Sequence, residues 1–131
     1  MTHSTPAGEV AEDVMKRFFD AWNRRDLSAA MALTSQSFSF EAFAPAPSGQ
    51  RGIGRAEVEA AWKPRFDDPT SRLTIEDSFT AGESFTAGTR VVQHWRYDFA
   101  GGCARGVDIA TVRDGLITEI VTYVKGGPEP A

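Results

Sequence analysis

Cysteine is nearly missing from this chain: Cys103 is the only one in 131 residues. That excludes an internal disulfide and any cysteine cage for zinc, and it fits a reducing compartment. Cys103 is expected to be a small, half-buried side chain near a hairpin rather than a catalytic thiol, because neither histidine lies near it in sequence. Histidine is scarce too, with only His3 and His94. No His/Asp/Glu spacing resembles a metal site, and there is neither a glycine-rich phosphate loop nor a nucleophile elbow, so no metal and no cofactor are expected. No run approaches the roughly 20 apolar residues of a membrane span, and Met1 to Glu9 lacks an apolar core of signal-peptide length; a cytoplasmic protein with no membrane partner is expected. Charge of one sign is banked nowhere. The net charge is -4, with Lys and Arg scattered singly or in pairs, which argues against nucleic acid as a partner.

What is present is the material of one core. Hydrophobic residues make up 41% of the chain, with nine Phe and three Trp, while the mean hydropathy of -0.30 is that of a soluble globule. A chain of this length buries about two thirds of its unfolded surface in a single domain. That domain is expected over residues 9–125, between disordered tails at Met1 to Gly8 and Gly126 to Ala131, both rich in Pro, Gly and small residues.

Val10, Val14, Phe18 and Trp22 fall at four-residue steps, with Met15 and Phe19 alongside, and predict a long amphipathic helix over Glu9 to Arg25. Asp26 can cap a short second helix through Leu33. Phe38, Phe40 and Ala42 then alternate with Ser37, Ser39 and Glu41 as a strand, and the Pro-rich segment from Ala44 to Gln50 is expected to be a surface loop, placed to close over a pocket mouth. A third helix is predicted from Arg55 to Phe66, entered through Gly52 and Gly54, with Val58, Ala61, Trp62 and Phe66 on one stripe. Beyond it the period becomes two. Leu73 to Asp77 and Arg90 to Phe99 read as strands, and Gly101-Gly102 and Asp114-Gly115 are hairpin signals joining Cys103 to Val112 and Leu116 to Lys125. Helices first and a meander afterwards define an α+β fold.

Alternation assigns Val91, Gln93, Trp95, Tyr97 and Phe99 to the core face and sends His94, Arg96 and Asp98 outward. On the next strand Asp108 shares its face with the small or apolar Gly106, Ala110 and Val112. Burial there should favour the neutral form of a carboxyl group, which can donate a hydrogen bond to a ligand carbonyl. A structural acid hydrogen-bonded to Trp95, Tyr97 or Thr122 fits the same position.

In this order the chain resembles the nuclear transport factor 2-like superfamily, specifically its SnoaL-like branch, over about residues 9–125. The resemblance is carried by Phe18-Phe19-Asp20-Ala21-Trp22-Asn23-Arg24-Arg25-Asp26-Leu27, by Arg51-Gly52-Ile53-Gly54, and by the ending from Gly106-Val107-Asp108 through Arg113-Asp114-Gly115-Leu116-Ile117 to Tyr123. It implies a cone: a curved antiparallel sheet wrapped round three helices from the N-terminal half, enclosing a cavity, in a homodimer packed through the outer sheet face. Members include ketosteroid isomerases, polyketide cyclases and limonene epoxide hydrolases as well as domains that only bind or assemble, so the fold alone leaves the function open. Asp108 matches the isomerases' protonated acid. Their tyrosine donor is Phe18 here, and their aspartate base falls on Ala42 or near it, with Glu41 the closest acid; a one-residue slip toward Glu41 would expose Phe38 and Phe40. The aspartate that cyclases and epoxide hydrolases place on the last strand is Thr122, and the cyclases' histidine aligns with Asp108.

Two readings therefore stand. In one, a cofactor-free acid/base enzyme of isomerase or cyclase type holds a small hydrophobic carbonyl compound against Asp108, in a pocket lined by Phe18, Trp22, Phe40, Trp62, Gln93, Trp95, Tyr97, Ala110 and Thr122. In the other, the cavity binds a small apolar molecule without turnover, or is filled, and the protein is a carrier, regulator or dimeric scaffold. An epoxide hydrolase-like activity, suggested by Arg96 and Asp98 two apart on a strand, is disfavoured by their outward face and by Thr122. Trp22, Trp62 and Phe40 decide between the readings, because a pocket plugged by these rings suits a scaffold and an open one suits a ligand.

Overall fold

A computed structural model describes residues 6–42, 50–84 and 88–125. In chain order the elements are α1 (Pro6–Asn23), α2 (Leu27–Ala32), β1 (Thr34–Ala42), β2 (Gln50–Ile53), α3 (Arg55–Phe66), β3 (Arg72–Ser84), β4 (Gly88–Phe99), β5 (Gly102–Arg113) and β6 (Leu116–Val124). The strands form one curved, open sheet in the order β2-β1-β6-β5-β4-β3, and the three helices pack on it as the expected α+β cone. Among the described residues no helix is long and apolar enough to cross a membrane.

Helix α1 begins at Pro6 rather than at Glu9, because proline is well suited to a first helical turn, where its missing N–H is not needed. Its buried stripe also differs from the four-step reading: Val14, Phe18 and Trp22 are buried, but Val10 is 51% exposed and Ala11 takes its place. Four residues overshoot a 3.6-residue turn by about 40°, so three such steps carry Val10 out of the buried arc. Asp26 caps α2 as expected, its Oδ1 accepting from the Ala29 N–H at 3.0 Å. In α3, Val58, Trp62 and Phe66 are buried, whereas Ala61 is exposed.

The sheet differs in four places from the reading of the sequence. Strand β1 starts at Thr34, four residues before Phe38, and β2 at Gln50–Ile53 is an edge strand where only a loop end and a helix entry were expected. The sheet is mixed rather than wholly antiparallel, because β1 runs parallel to β6, with Phe40 beside Ile120 and Ala42 beside Thr122. Parallel neighbours need a long crossover, which here is everything from β2 to β5. Strand β3 continues to Ser84 with irregularities near Glu76 and Ala81. The expected loop from Ala44 to Gln50 lies outside the described residues, apart from Gln50; so do Met1 to Thr5 and the tail from residue 126.

The meander itself follows the sequence. Asp114 and Gly115 both have positive φ (53° and 76°), the conformation a two-residue hairpin turn needs. Gly106 answers to a different constraint: a Cβ there would lie 2.3 Å from the Tyr123 carbonyl oxygen and 2.4 Å from Cζ2 of Trp95, whose ring lies over the glycine. Gly106→Ala is therefore expected to destabilise the fold by about 1–3 kcal/mol, as overpacking does, and to displace Trp95. Denaturant unfolding followed by tryptophan fluorescence checks this; an unchanged midpoint and emission maximum would show that Trp95 does not rest on Gly106.

Candidate functional site

Alternation and register set the site's inner wall. Gln93, Asp108, Thr122 and Ala42 form one row across β4, β5, β6 and β1, and Trp95, Gly106 and Val124 form the next. Because Gly106 has no side chain, Trp95 spreads over the sheet beside Asp108. The opposite wall comes from the helices. Trp62 of α3 is its hub, with ring centroids 5.7 Å from Phe18, 5.2 Å from Trp22 and 5.1 Å from Phe40. Between the two walls lies an open cavity of about 530 Å³, whose lining also includes Pro64, Arg65, Asp68, Phe99 and Ala104. Its size is within the usual range of small-molecule sites.

Most of the residues picked from sequence meet here: Phe18, Trp22, Phe40, Trp62, Trp95, Tyr97, Asp108 and Thr122 all line the cavity. Trp22, Trp62 and Phe40 form its wall and leave the space open. Gln93 and Ala110 are buried on the predicted face but do not line the space. The Gln93 amide nitrogen is 3.2 Å from Ser78 Oγ, and Ala110 belongs to the closed core with Val91, Val112 and Ile117. Alternation gives the face a side chain takes, not the depth at which a cavity ends. The same blindness hid Phe19, Ala42, Leu73 and Ile120, which do line it. Glu41 is on the other face of β1, 3.9 Å from Arg51, so it supplies no acid to the cavity. His94 is exposed, and Arg96 and Asp98 pair with each other at 3.0 Å, both about two-fifths exposed on the outer face. Among the described residues no cluster of His, Cys, Asp or Glu could hold a metal ion.

Asp108 is 7% exposed and is the one buried titratable side chain in the described wall. The Thr122 hydroxyl donates to its Oδ1 at 2.5 Å, and among the described residues no cation pairs with it. Desolvation pushes its pKa from 3.8 up to about 6, against the opposing pull of the Thr122 hydrogen bond. The Trp95 indole N–H is close enough to pull the same way as Thr122, yet it falls short of hydrogen-bond geometry and Nε1 has no protein partner. The direction is the one expected from burial. Even so, a pKa near 6 leaves the group roughly ten parts ionised to one neutral at pH 7, so it can take a proton as well as give one. Trp22 Nε1 and Trp62 Nε1 are likewise buried without a protein partner.

The raised pKa has a sign for stability. Between about pH 4 and pH 6 the folded chain binds this proton more tightly than the unfolded chain, so the contribution of Asp108 is favourable at low pH and falls as pH rises, by about 3 kcal/mol in all. Asp108→Asn, which cannot ionise, is expected to be at least as stable as wild type at pH 8, with any advantage shrinking toward pH 4. Thermal unfolding at the two pH values measures this. A variant markedly less stable at both would identify the carboxylate as a structural group.

The description of a SnoaL-like domain matches residues 15–120 of the chain. An NTF2-like protein of unknown function from Mesorhizobium loti is 34% identical, with a TM-score of 0.80 over 95% of this chain and 98% of that one. A candidate ketosteroid isomerase from Kribbella flavida is 18% identical, with a TM-score of 0.74 over 95% of this chain and 84% of that one. A candidate polyketide cyclase from Xanthomonas campestris is 19% identical, with a TM-score of 0.63 over 89% and 91%. At such identities the last two share the fold alone. No curated protein sequence matches the chain.

Proposed function

Since the chain belongs to the SnoaL-like domain family, we propose that its cavity is a ligand site in which Asp108 is the acid/base group for a small hydrophobic carbonyl compound. The observation that carries this reading is a buried carboxyl group in the wall of an open, mainly apolar cavity, held by one hydroxyl and, among the described residues, by no cation. A structural buried acid is ordinarily paired, since an unpaired one costs stability. In its ionised form Asp108 can accept a proton from the carbon beside a carbonyl; once protonated, it can donate to the carbonyl oxygen as charge develops there. Thr122 engages Oδ1.

With Ala42 in the cavity and Glu41 outside it, the buried wall offers no second titratable group among the described residues. That favours proton transfers in which one carboxyl group both takes and returns the proton, and it also keeps the carrier reading alive. Exchange of the α-protons of an aromatic ketone into deuterated buffer separates the two. Wild type is expected to accelerate exchange, with a rate that rises as pH passes upward through about 6, and Asp108→Asn is expected to lose at least about a hundredfold of it. Exchange no faster than in buffer, at a ketone concentration that saturates binding, would leave a carrier.

A homodimer through the outer sheet face belongs to the same proposal. Phe79, Val92, Ile109 and Val121 stand in one row across β3, β4, β5 and β6 on that face, and Phe79 is 45% exposed. A continuous apolar row on a soluble sheet suits a self-complementary two-fold contact. Ile109→Arg is expected to halve the mass measured by light scattering toward that of one 14.2 kDa chain. A wild type already of that mass would rule the dimer out.

A further inference from the structure

Four polar side chains stand in one row across the inner face of the sheet: Ser78 on β3, Gln93 on β4, Asp108 on β5 and Thr122 on β6. The row runs between two apolar ones, Val91, Ala110 and Ile120 on one side and Trp95, Gly106 and Val124 on the other. Both of its ends are hydrogen-bonded. Gln93 Nε2 donates to Ser78 Oγ at 3.2 Å, and the Thr122 hydroxyl donates to Asp108 Oδ1 at 2.5 Å. The middle is not joined: Gln93 Oε1 is buried without a partner, although Gln93 and Asp108 are paired in register. Gln93 is only 3% exposed and does not line the cavity, so a ligand there does not meet that oxygen, and its partner must come from the protein.

Side chains directly opposed across two strands leave the backbone with their Cβ atoms about 5 Å apart, within reach of a glutamine amide. Buried side-chain oxygens are rarely left unpaired, and the chemistry of the two groups explains the gap between them. An amide oxygen only accepts, and so does an ionised carboxylate. A hydrogen bond can join them only when Asp108 carries a proton.

We propose that Gln93 is a positioning residue for Asp108: its amide, anchored through Nε2 on Ser78, turns Oε1 toward β5 and accepts the hydrogen of the neutral acid whenever the cavity holds no competing acceptor. Nitrogen and oxygen diverge from one amide carbon, so a nitrogen drawn toward β3 leaves the oxygen on the side of β5. Asp108 thereby has a place, closed to solvent, in which to keep a proton that it has taken. The inference rests on the reading of Asp108 as the acid/base group and adds the partner of its neutral form.

The titration of Asp108 in the ligand-free protein tests it, followed by the carboxyl carbon-13 signal of aspartate-labelled chain and assigned by its loss in Asp108→Asn. Gln93→Met keeps the length of the side chain and removes the amide. Without its acceptor the neutral form is disfavoured, and the Asp108 midpoint is expected to fall from about 6 by about one pH unit, a tenfold change in the ratio of ionised to neutral acid. A merely structural glutamine gives the opposite sign, because a more apolar neighbour deepens desolvation and raises a carboxyl pKa. The other titratable side chains of the described lining, Arg65, Asp68 and Tyr97, are left in place. Ser78→Ala carries the test where Gln93→Met does not fold: an amide freed from its anchor can present Nε2 to the ionised carboxylate, and the midpoint is again expected to fall. A midpoint unchanged or raised in the folded variant would overturn the inference and leave Oε1 to Thr80 Oγ1, the other buried side-chain oxygen without a partner among the described residues. Proton exchange into the ketone distinguishes this from a failure of the acid/base reading. Exchange by wild type with an unmoved midpoint in the variants keeps Asp108 as the acid/base group and removes the part of Gln93; a lowered midpoint without exchange keeps the pairing of Gln93 with Asp108 and leaves a carrier.

Discussion

The parallel pairing of β1 with β6 is the constraint on which the rest of the molecule depends. It joins two stretches of chain that share no turn: the helical half with its β1–β2 hairpin, and the β3 to β6 meander. A backbone bond from the Ile117 N–H to the Leu33 carbonyl at 2.8 Å starts the junction, and Phe40 and Ala42 then come to lie beside Ile120 and Thr122. Without that row the cavity would lose the strand that faces Trp62, and Asp108 would stand one strand from an open edge. A contact this distant in sequence is closed late and at entropic cost. It is held by burial: Phe38 and Ile117, one on each strand, are completely inaccessible.

The wall so closed tolerates a group that works against it. Most of the cavity lining is aromatic or aliphatic, and an acid set there destabilises the folded protein at neutral pH through desolvation alone. A threonine hydroxyl offsets part of this penalty, but no Arg or Lys is supplied among the described residues to cancel it. An asparagine would keep an acceptor for Thr122 with no charge to bury. A neutral isostere would satisfy the same hydrogen bond, so it is the perturbed proton of Asp108 on which the proposed function rests.

How much of this could be read from the chain depends on the range of the interaction concerned. Period-two alternation on β4 and β5 fixed which side chains face inward, because one sheet face packs against helices and the other does not. Asp108, Trp95 and Tyr97 were therefore legible, as was the exclusion of His94, whereas Thr122 on β6 came from the family resemblance. The capping Asp26 and the Asp114-Gly115 turn were legible because a few bonds decide them. Strand β2 was not, since four residues containing Gly52 carry no β signal and owe their conformation to pairing with β1. The parallel pair was equally hidden, as nothing local marks two strands that meet across the whole chain. Gln93 and Ala110 show the remaining gap: their face was right, but the end of a cavity is set by how far α1 and α3 reach over the sheet, and no strand pattern contains that distance.

The polar balance of the cavity connects its acid to its tryptophans. Three indole N–H groups donate and cannot accept, so the wall's capacity to accept at depth rests on Asp108 while it is ionised, with Thr122 already engaged. Ionised, the carboxylate gives the Trp95 N–H a counterpart on the sheet side; neutral, it becomes a donor itself. A hydrocarbon answers neither state. On the proposed reading, a carbonyl oxygen near Asp108 would answer the neutral one, and proton uptake by Asp108 from the adjacent carbon would convert the ionised state into the neutral one at the moment the oxygen gains charge. The same buried position that raises the pKa would, on that reading, let a single carboxyl group serve as base before the transfer and as donor after it, so that a site with only one buried acid in its described wall could carry acid/base chemistry.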